Sequence, residues 1–282
     1  PIADVTIARD DDGFILFAEG MSAGALREHL AGAECEDLSE SHAHLSVDGP
    51  FAWEVVAAVL GPEVIGVPYL SFYRARGVMC FRAGKTGEYG YDLLVPRDTL
   101  NTIDSELRER GAVLGLVDGS REVLARAAIE NWFFDMTALA GWRGPALTPI
   151  ELQLRWRLAL QRDFVGAAAL RAHTSTLRVT SFTAATMLAP NDPIRIGDER
   201  IGAVLAVAPS ATKRSIPACA QDRSNTAQPV TSPRVADSAT GTLRIKTRTP
   251  PLLANRSLFV DPHRHSARVP ETYPALVPEV LR

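Results

Sequence analysis

The chain has 282 residues, with 30 Lys and Arg against 33 Asp and Glu and a formal net charge of −3 at pH 7. That length buries a sizeable core in one large domain or in two to three smaller ones. The mixed charge offers no basic face for tracking phosphates, and no apolar run approaches the ~18–20 residues that cross a bilayer, so neither nucleic acid nor a membrane is an expected partner.

Three cysteines, Cys35, Cys80 and Cys219, show no CxxC spacing, and a reduced, cytoplasmic protein is expected. Residues 2–8 alternate as a strand, Asp10-Asp11-Asp12-Gly13 reads as a turn, and residues 14–18 return. The Asp run lacks the alternating frame and terminal Glu of a calcium loop. Ser22 can cap a helix reaching about residue 31. A strand then carries His42 and His44 on one face, with no third ligand to complete a zinc site, and no metal is expected. Gly49-Pro50 opens a helix with Phe51, Trp53, Val55, Val56, Val59 and Leu60 along it, and Gly61-Pro62 ends it.

Residues 69–73 and 78–81 read as strands. Residues 82–96, RAGKTGEYGYDLLVP, read as a tight glycine turn, with Gly84, Gly87 and Gly90, feeding a strand that stops at Pro96. One carboxylate, Asp92, stands among apolar neighbours there. It must be exposed, paired or bound to a ligand donor. Asp98 is placed to cap a helix with Leu100, Ile103 and Leu107, and Ser120 a second one through residue 129. Arg121 opens that second helix, where a cation is unfavourable with the helix dipole. Trp132 follows with Phe133 and Phe134, offering a flat face to a ring or simply core.

Residues 138–147 form a Gly, Trp and Pro loop. Thr148-Pro149-Ile150-Glu151 is a capping box, which predicts a helix through about residue 160. A short helix is expected over 163–170. Short strands follow at 177–182 and 243–247, with a hairpin between them from residue 194 through Gly197-Asp198 to residue 207. Residues 213–238 are polar, poorly patterned and read as loop. Near the end, after residues 255–262, the His263-Arg264-His265 cluster reads as a solvated loop rather than as an anion or metal site.

The 82–96 stretch resembles the G-Y-T-G-E-x-G-Y/F-E-L-x-V-P signature of the glycine-cleavage T-protein superfamily, with Asp92 at the position of the last acid and Lys85 where Tyr is usual. Residues 45–60 are similar to its L-x-V-x-G-P-x-A-x-x-V-L step. Thr148, Pro149, Glu151, Leu154, Trp156, Asp163, Phe164, Gly166, Ala169 and Leu170 match its T-P-x-E-x-x-L-x-W … D-F-x-G-x-x-A-L pattern. The resemblance implies an α+β, T-protein-like multidomain fold, with a ferredoxin-like middle portion and a small C-terminal β-barrel around a central folate channel. The domains expected are the remainder of an N-terminal domain (1–44), a folate-signature domain (45–147), a helical connection (148–175) and the barrel (176–282).

It also implies tetrahydrofolate, with Asp92 on the pterin and Arg121, Tyr91, Trp132 and Arg256 as further contacts. Members carry several tens of residues before the segment that Pro1 resembles, including an acid near the reactive end of the folate, so a preceding segment is expected. No catalytic residue is named, and Tyr91, Glu130 and His265 are proton-donor candidates by chemistry alone. Residues 162–167 lack the Cys of the K-G-C-x-x-G-Q-E branch, which serves iron–sulfur maintenance. The weakly kept helix motif at 122–129 and the 255–260 run lean toward the branch that moves a methyl group between a small molecule, such as an aryl methyl ether, and N5 of tetrahydrofolate. Two alternatives stand beside it: an aminomethyltransferase of glycine-cleavage type, which implies a carrier-protein partner, and a non-catalytic folate-binding protein.

Overall fold

The computed structural model describes residues 3–30, 32–133, 136–185, 188–209, 215–222, 234–238, 241–244, 246–248 and 255–273. The chain forms two compact units, one of Ala3–Phe133 with Leu253–Arg282 and one built on Phe134–Leu252.

In the first unit, β1 (Asp4–Arg9) and β2 (Phe14–Glu19) form the antiparallel hairpin that the Asp-Asp-Asp-Gly turn predicts. Ser22 caps α1 (Ala23–His29) by accepting the amide of Ala25 at 3.2 Å. A four-stranded antiparallel sheet follows, in the order β3 (His42–Asp48), β6 (Gly90–Pro96), β5 (Val78–Phe81) and β4 (Phe72–Ala75). Between β3 and β4 runs α2 (Ala52–Leu60), ended by Gly61 at φ 106°. After β6 come α3 (Leu100–Ala112) and α4 (Arg121–Asn131). The middle portion is therefore a two-layer α/β unit in the order β-α-β-β-β-α, rather than the β-α-β-β-α-β of a ferredoxin repeat.

Strand alternation assigns the two faces of this sheet. Tyr91, Leu93 and Val95 of β6 join Val78 and Cys80 of β5 in a core with Trp53, Val56 and Leu60 of α2 and Ile103 and Leu107 of α3. Met79, Phe81 and Leu94 point the other way and pack with Ala8, Ile15 and Phe17 of the β1–β2 hairpin.

Three expectations shift in this unit. β4 begins at Phe72 because Leu70 takes a left-handed φ of 62°. The residue before α3 is Thr99, not Asp98, and its hydroxyl donates to the Pro96 carbonyl at 3.1 Å rather than capping the helix. The tight glycine turn is a broad loop over 82–89.

In the second unit, the capping box at 148–151 closes, with the Thr148 amide donating to Glu151 Oε2 at 2.8 Å, but no helix follows. Turns lead to a single 3-10 turn at Arg155–Arg157. The Glu151 carbonyl accepts the Val179 amide at 2.9 Å, and Gln153 sits at φ 60°, so the helical hydrogen-bond ladder cannot continue. A short α5 (Ala167–Ala172) precedes β7 (Leu177–Thr183), β8 (Pro193–Ile196), β9 (Glu199–Pro209), β10 (Ser215–Asp222), β11 (Arg234–Ser238), β12 (Gly241–Arg244) and β13 (Lys246–Arg248). Strands β10 and β11 lie in the polar stretch expected to be loop, where backbone pairing with β9, β7 and β8 substitutes for an apolar pattern.

The sheet order is β12-β11-β8-β9-β10-β7-β13, with every pairing antiparallel. β12 and β13 are opposite ends of this sheet, yet a single residue separates them in the chain. Two virtual bonds span at most about 7.6 Å, whereas six flat inter-strand steps span about 29 Å. The sheet is therefore rolled until its ends approach.

Candidate functional site

The register of β6 sets the site. Asp92 pairs with Ser46 of β3 and Phe81 of β5. Gly90, Asp92 and Leu94 share the face toward the β1–β2 hairpin, with His44, Ser46 and Asp48 alongside on β3. Asp92 is 6% exposed, and its Oδ1 has no hydrogen-bond donor among the described residues. His44 Nε2 lies 3.0 Å from that oxygen, as an ion contact lacking hydrogen-bond direction. The His44 ring lies 5.6 Å from the Phe17 ring, and Phe17 meets Phe81 edge-on at 4.9 Å.

Asp48 sits two residues along that polar row. Its carboxylate accepts Ser46 Oγ at 2.8 Å, Thr86 Oγ1 at 3.1 Å and the Lys85 amide at 3.2 Å. Burial pushes this carboxyl above its ordinary value, and the nearby charge of Asp92 adds to the rise, against the hydrogen bonds from Ser46, Thr86 and Lys85. The Cys80 thiol is pushed up to about 12, first by burial and then by Asp92, and so is no nucleophile.

The loop over 82–89 needs its glycines. A Cβ on Gly84 would lie 2.6 Å from Gly90 Cα, and one on Gly87, at φ 76°, would lie 2.9 Å from Asn131 Cβ. The carboxy-terminal segment clamps this loop. Asn255 Nδ2 donates to the Gly87 carbonyl at 2.9 Å. The Ser257 hydroxyl donates to Glu88 and accepts the Tyr89 amide at 2.9 Å. From the end of α4, Asn131 Nδ2 donates to the Thr86 carbonyl at 2.9 Å. Beside the clamp lies a hollow of about 310 Å³, lined in part by Tyr69, Arg82, Tyr89, Phe133, Ser257 and Leu258.

The expected site residues do not all converge. Tyr91 is fully buried in the core on the α2 side, the face opposite Asp92, so it does not share a pocket with that carboxylate. Burial raises its phenol well above the ordinary value. Arg121 is exposed at the first position of α4. The clamp contact comes from Asn131, ten residues on, about 15 Å along the helix. Trp132 is the left-handed C-cap of α4, at φ 59°, and neighbours the hollow only through Phe133. Arg256 lies in a 3-10 turn, Arg256–Leu258, and its side chain is outside the described residues.

Of the proton-donor candidates, Glu130 is buried and paired with Arg126 at 2.9 Å. His265 accepts the Asp261 amide at 2.7 Å through Nδ1. No group of three or more His, Cys, Asp or Glu gathers at metal-binding distance among the described residues. The residues that the sequence did not single out are Asp48, Asn131, Asn255 and Ser257. Alternation along β3 was the available signal for Asp48. The clamp residues lie 43 to 169 positions from their partners and leave no local signal.

Residues 2–162 match the family model described as the GCVT N-terminal domain. An aminomethyltransferase of Saccharopolyspora erythraea is 26% identical over 217 residues, covering 71% of this chain and 58% of that protein. One of Mycobacterium leprae is 27% identical over 210 residues, covering 68% and 55%. The chain thus spans little more than half the length of these curated relatives. In fold it is similar to the glycine cleavage system aminomethyltransferase T of Bartonella henselae, with a TM-score of 0.70 over 90% of this chain and 73% of that one, at 17% identity.

Proposed function

This chain belongs to the GCVT N-terminal domain family, and we propose that it is a tetrahydrofolate-dependent one-carbon transferase of the aminomethyltransferase type. The observation that carries the reading is Asp92. It is a buried carboxylate at the acid position of the signature, with one oxygen lacking a donor. A pterin edge presents adjacent N–H donors, and a carboxylate meets them with short, charge-assisted, orienting bonds. The residues present therefore fit the group. When bound, tetrahydrofolate supplies N5 as the atom that carries the one-carbon unit.

The chain's own contribution is alignment. Asp92 fixes the ring, His44 stands beside the same oxygen as a counter-charge when protonated, and the clamp fixes the loop from which β6 emerges. The rolled sheet of the second unit is read as the small barrel of the family.

Aminomethyl transfer is preferred to methyl-ether cleavage. The relatives named above are aminomethyltransferases. The two stretches that leaned toward methyl ethers also have structural duties: residues 122–129 form the body of α4, while Asn255 and Ser257 hold the loop. A lipoyl carrier protein is the partner this reading implies.

Calorimetric titration with tetrahydrofolate tests it. Wild type should bind, and Asp92→Ala should lose about 1.5–3 kcal/mol, the value of a hydrogen bond to a charged group. Equal binding by the variant would remove the pterin from Asp92. No binding by wild type would overturn the reading.

A further inference from the structure

The hollow beside the clamp has a chemistry of its own. Arg82 is half-buried in its wall, with the guanidinium carbon 4.7 Å from the centre of the Tyr89 ring. One of its five N–H donors goes to the Val67 carbonyl at 3.0 Å. No carboxylate lies within ion-pair distance of it among the described residues. The hollow's own acid, Glu88, is engaged elsewhere, by the hydroxyl and amide of Ser257 and by Asn131 Nδ2. Three rings, Tyr69, Tyr89 and Phe133, border the space, and Tyr69 is 49% exposed at its rim. Gly84, Gly87 and Gly90 form part of the wall as bare backbone.

We propose that this hollow binds an aromatic carboxylate, a flat ring lying among the aromatic side chains with its anionic group on the free side of Arg82. A guanidinium stacked on a ring and lacking an acidic partner is suited to a planar carboxylate, because its donor fork matches the two oxygens. The space of about 310 Å³ is at the small end of ligand pockets and suits one or two rings. The lone guanidinium distinguishes the site from one built for several phosphates. This inference stands whether or not tetrahydrofolate binds at Asp92.

The test is calorimetry on the intact chain with three probes: benzoate, benzamide, which keeps the ring without the charge, and cyclohexanecarboxylate, which keeps the charge without the flat ring. Benzoate should bind about tenfold more tightly than either, as loss of a charged bond or of stacking implies. Arg82→Lys, which keeps the charge but loses the fork, should weaken benzoate by about tenfold. Tyr69→Ala, at the exposed rim, should weaken it by about threefold or more with an unchanged unfolding midpoint.

A further titration is made with tetrahydrofolate present. Displacement of benzoate assigns the hollow to the aryl and carboxylate arm of a folate, and co-binding assigns it to a free aromatic acid. A flat benzoate titration, equal binding of benzamide, or an unchanged affinity in Tyr69→Ala overturns the proposal. Failure of the folate reading alone shows as benzoate binding without tetrahydrofolate binding.

Discussion

Ser257 bonds to two consecutive residues of the signature loop, donating its hydroxyl to the carboxylate of Glu88 and accepting the amide of Tyr89 at 2.9 Å. One hydroxyl thus ties the carboxy-terminal segment to the loop that precedes Asp92. Removing it leaves a half-buried carboxylate short of a donor, a loss of about 1.5–3 kcal/mol for a charged hydrogen bond. Ser257→Ala should lower the denaturant midpoint without changing the slope, while Ser257→Thr keeps the hydroxyl and most of the stability. Coincident curves for wild type and the alanine variant would show that this hydroxyl contributes nothing.

Gly90 faces Gly84 across the mouth of the loop. A Cβ on Gly90 would lie 2.6 Å from Asp48 Oδ1 and collide with the Gly84 backbone, which has no rotamer to yield. Gly90→Ala should therefore cost about 3 kcal/mol or more, at the upper end of overpacking effects. Gly13→Ala is the control, since nothing lies within 4 Å of a Cβ there. Thermal unfolding of the pair should separate them widely, and similar midpoints would mean that the loop opens at little cost.

Much of the first unit was legible because its signals are local. The Asp-Asp-Asp-Gly turn between alternating strands gave the β1–β2 hairpin, Ser22 gave its cap, and Gly49-Pro50 with Gly61 bracketed α2. Asp92 was legible as an acid in an apolar strand, and the period of two already places Tyr91 on the opposite face. The missing helix after Glu151 was not legible. Its capping box is real, but the partners that divert the chain, Val179 and His173, lie 28 and 22 positions away. The clamp on the signature loop was hidden for the same reason: Asn255 and Ser257 act on residues about 168 positions earlier.

That diverted capping box also makes the second unit acid-sensitive. Burial alone would raise the Glu151 carboxyl, but hydrogen bonds from Thr148, His173 and Ser175 outweigh it and hold the group down to about 2, against an ordinary 4.5. His173 Nε2 lies 2.5 Å from Glu151 Oε1, and the Thr148 amide reaches Oε2 at 2.8 Å. With the folded value depressed, the unfolded chain binds the extra proton. Stability from this group is therefore fully present above the ordinary value and is lost as pH falls from 4.5 through about 2. Its size is on the order of 3 kcal/mol. Glu151→Gln keeps the shape but not the charge, so it should be less stable than wild type at neutral pH and should flatten the acid side of the profile. Urea unfolding at a series of pH values compares the two. Parallel profiles would show that the carboxylate does not carry the acid dependence, and converging ones that it does.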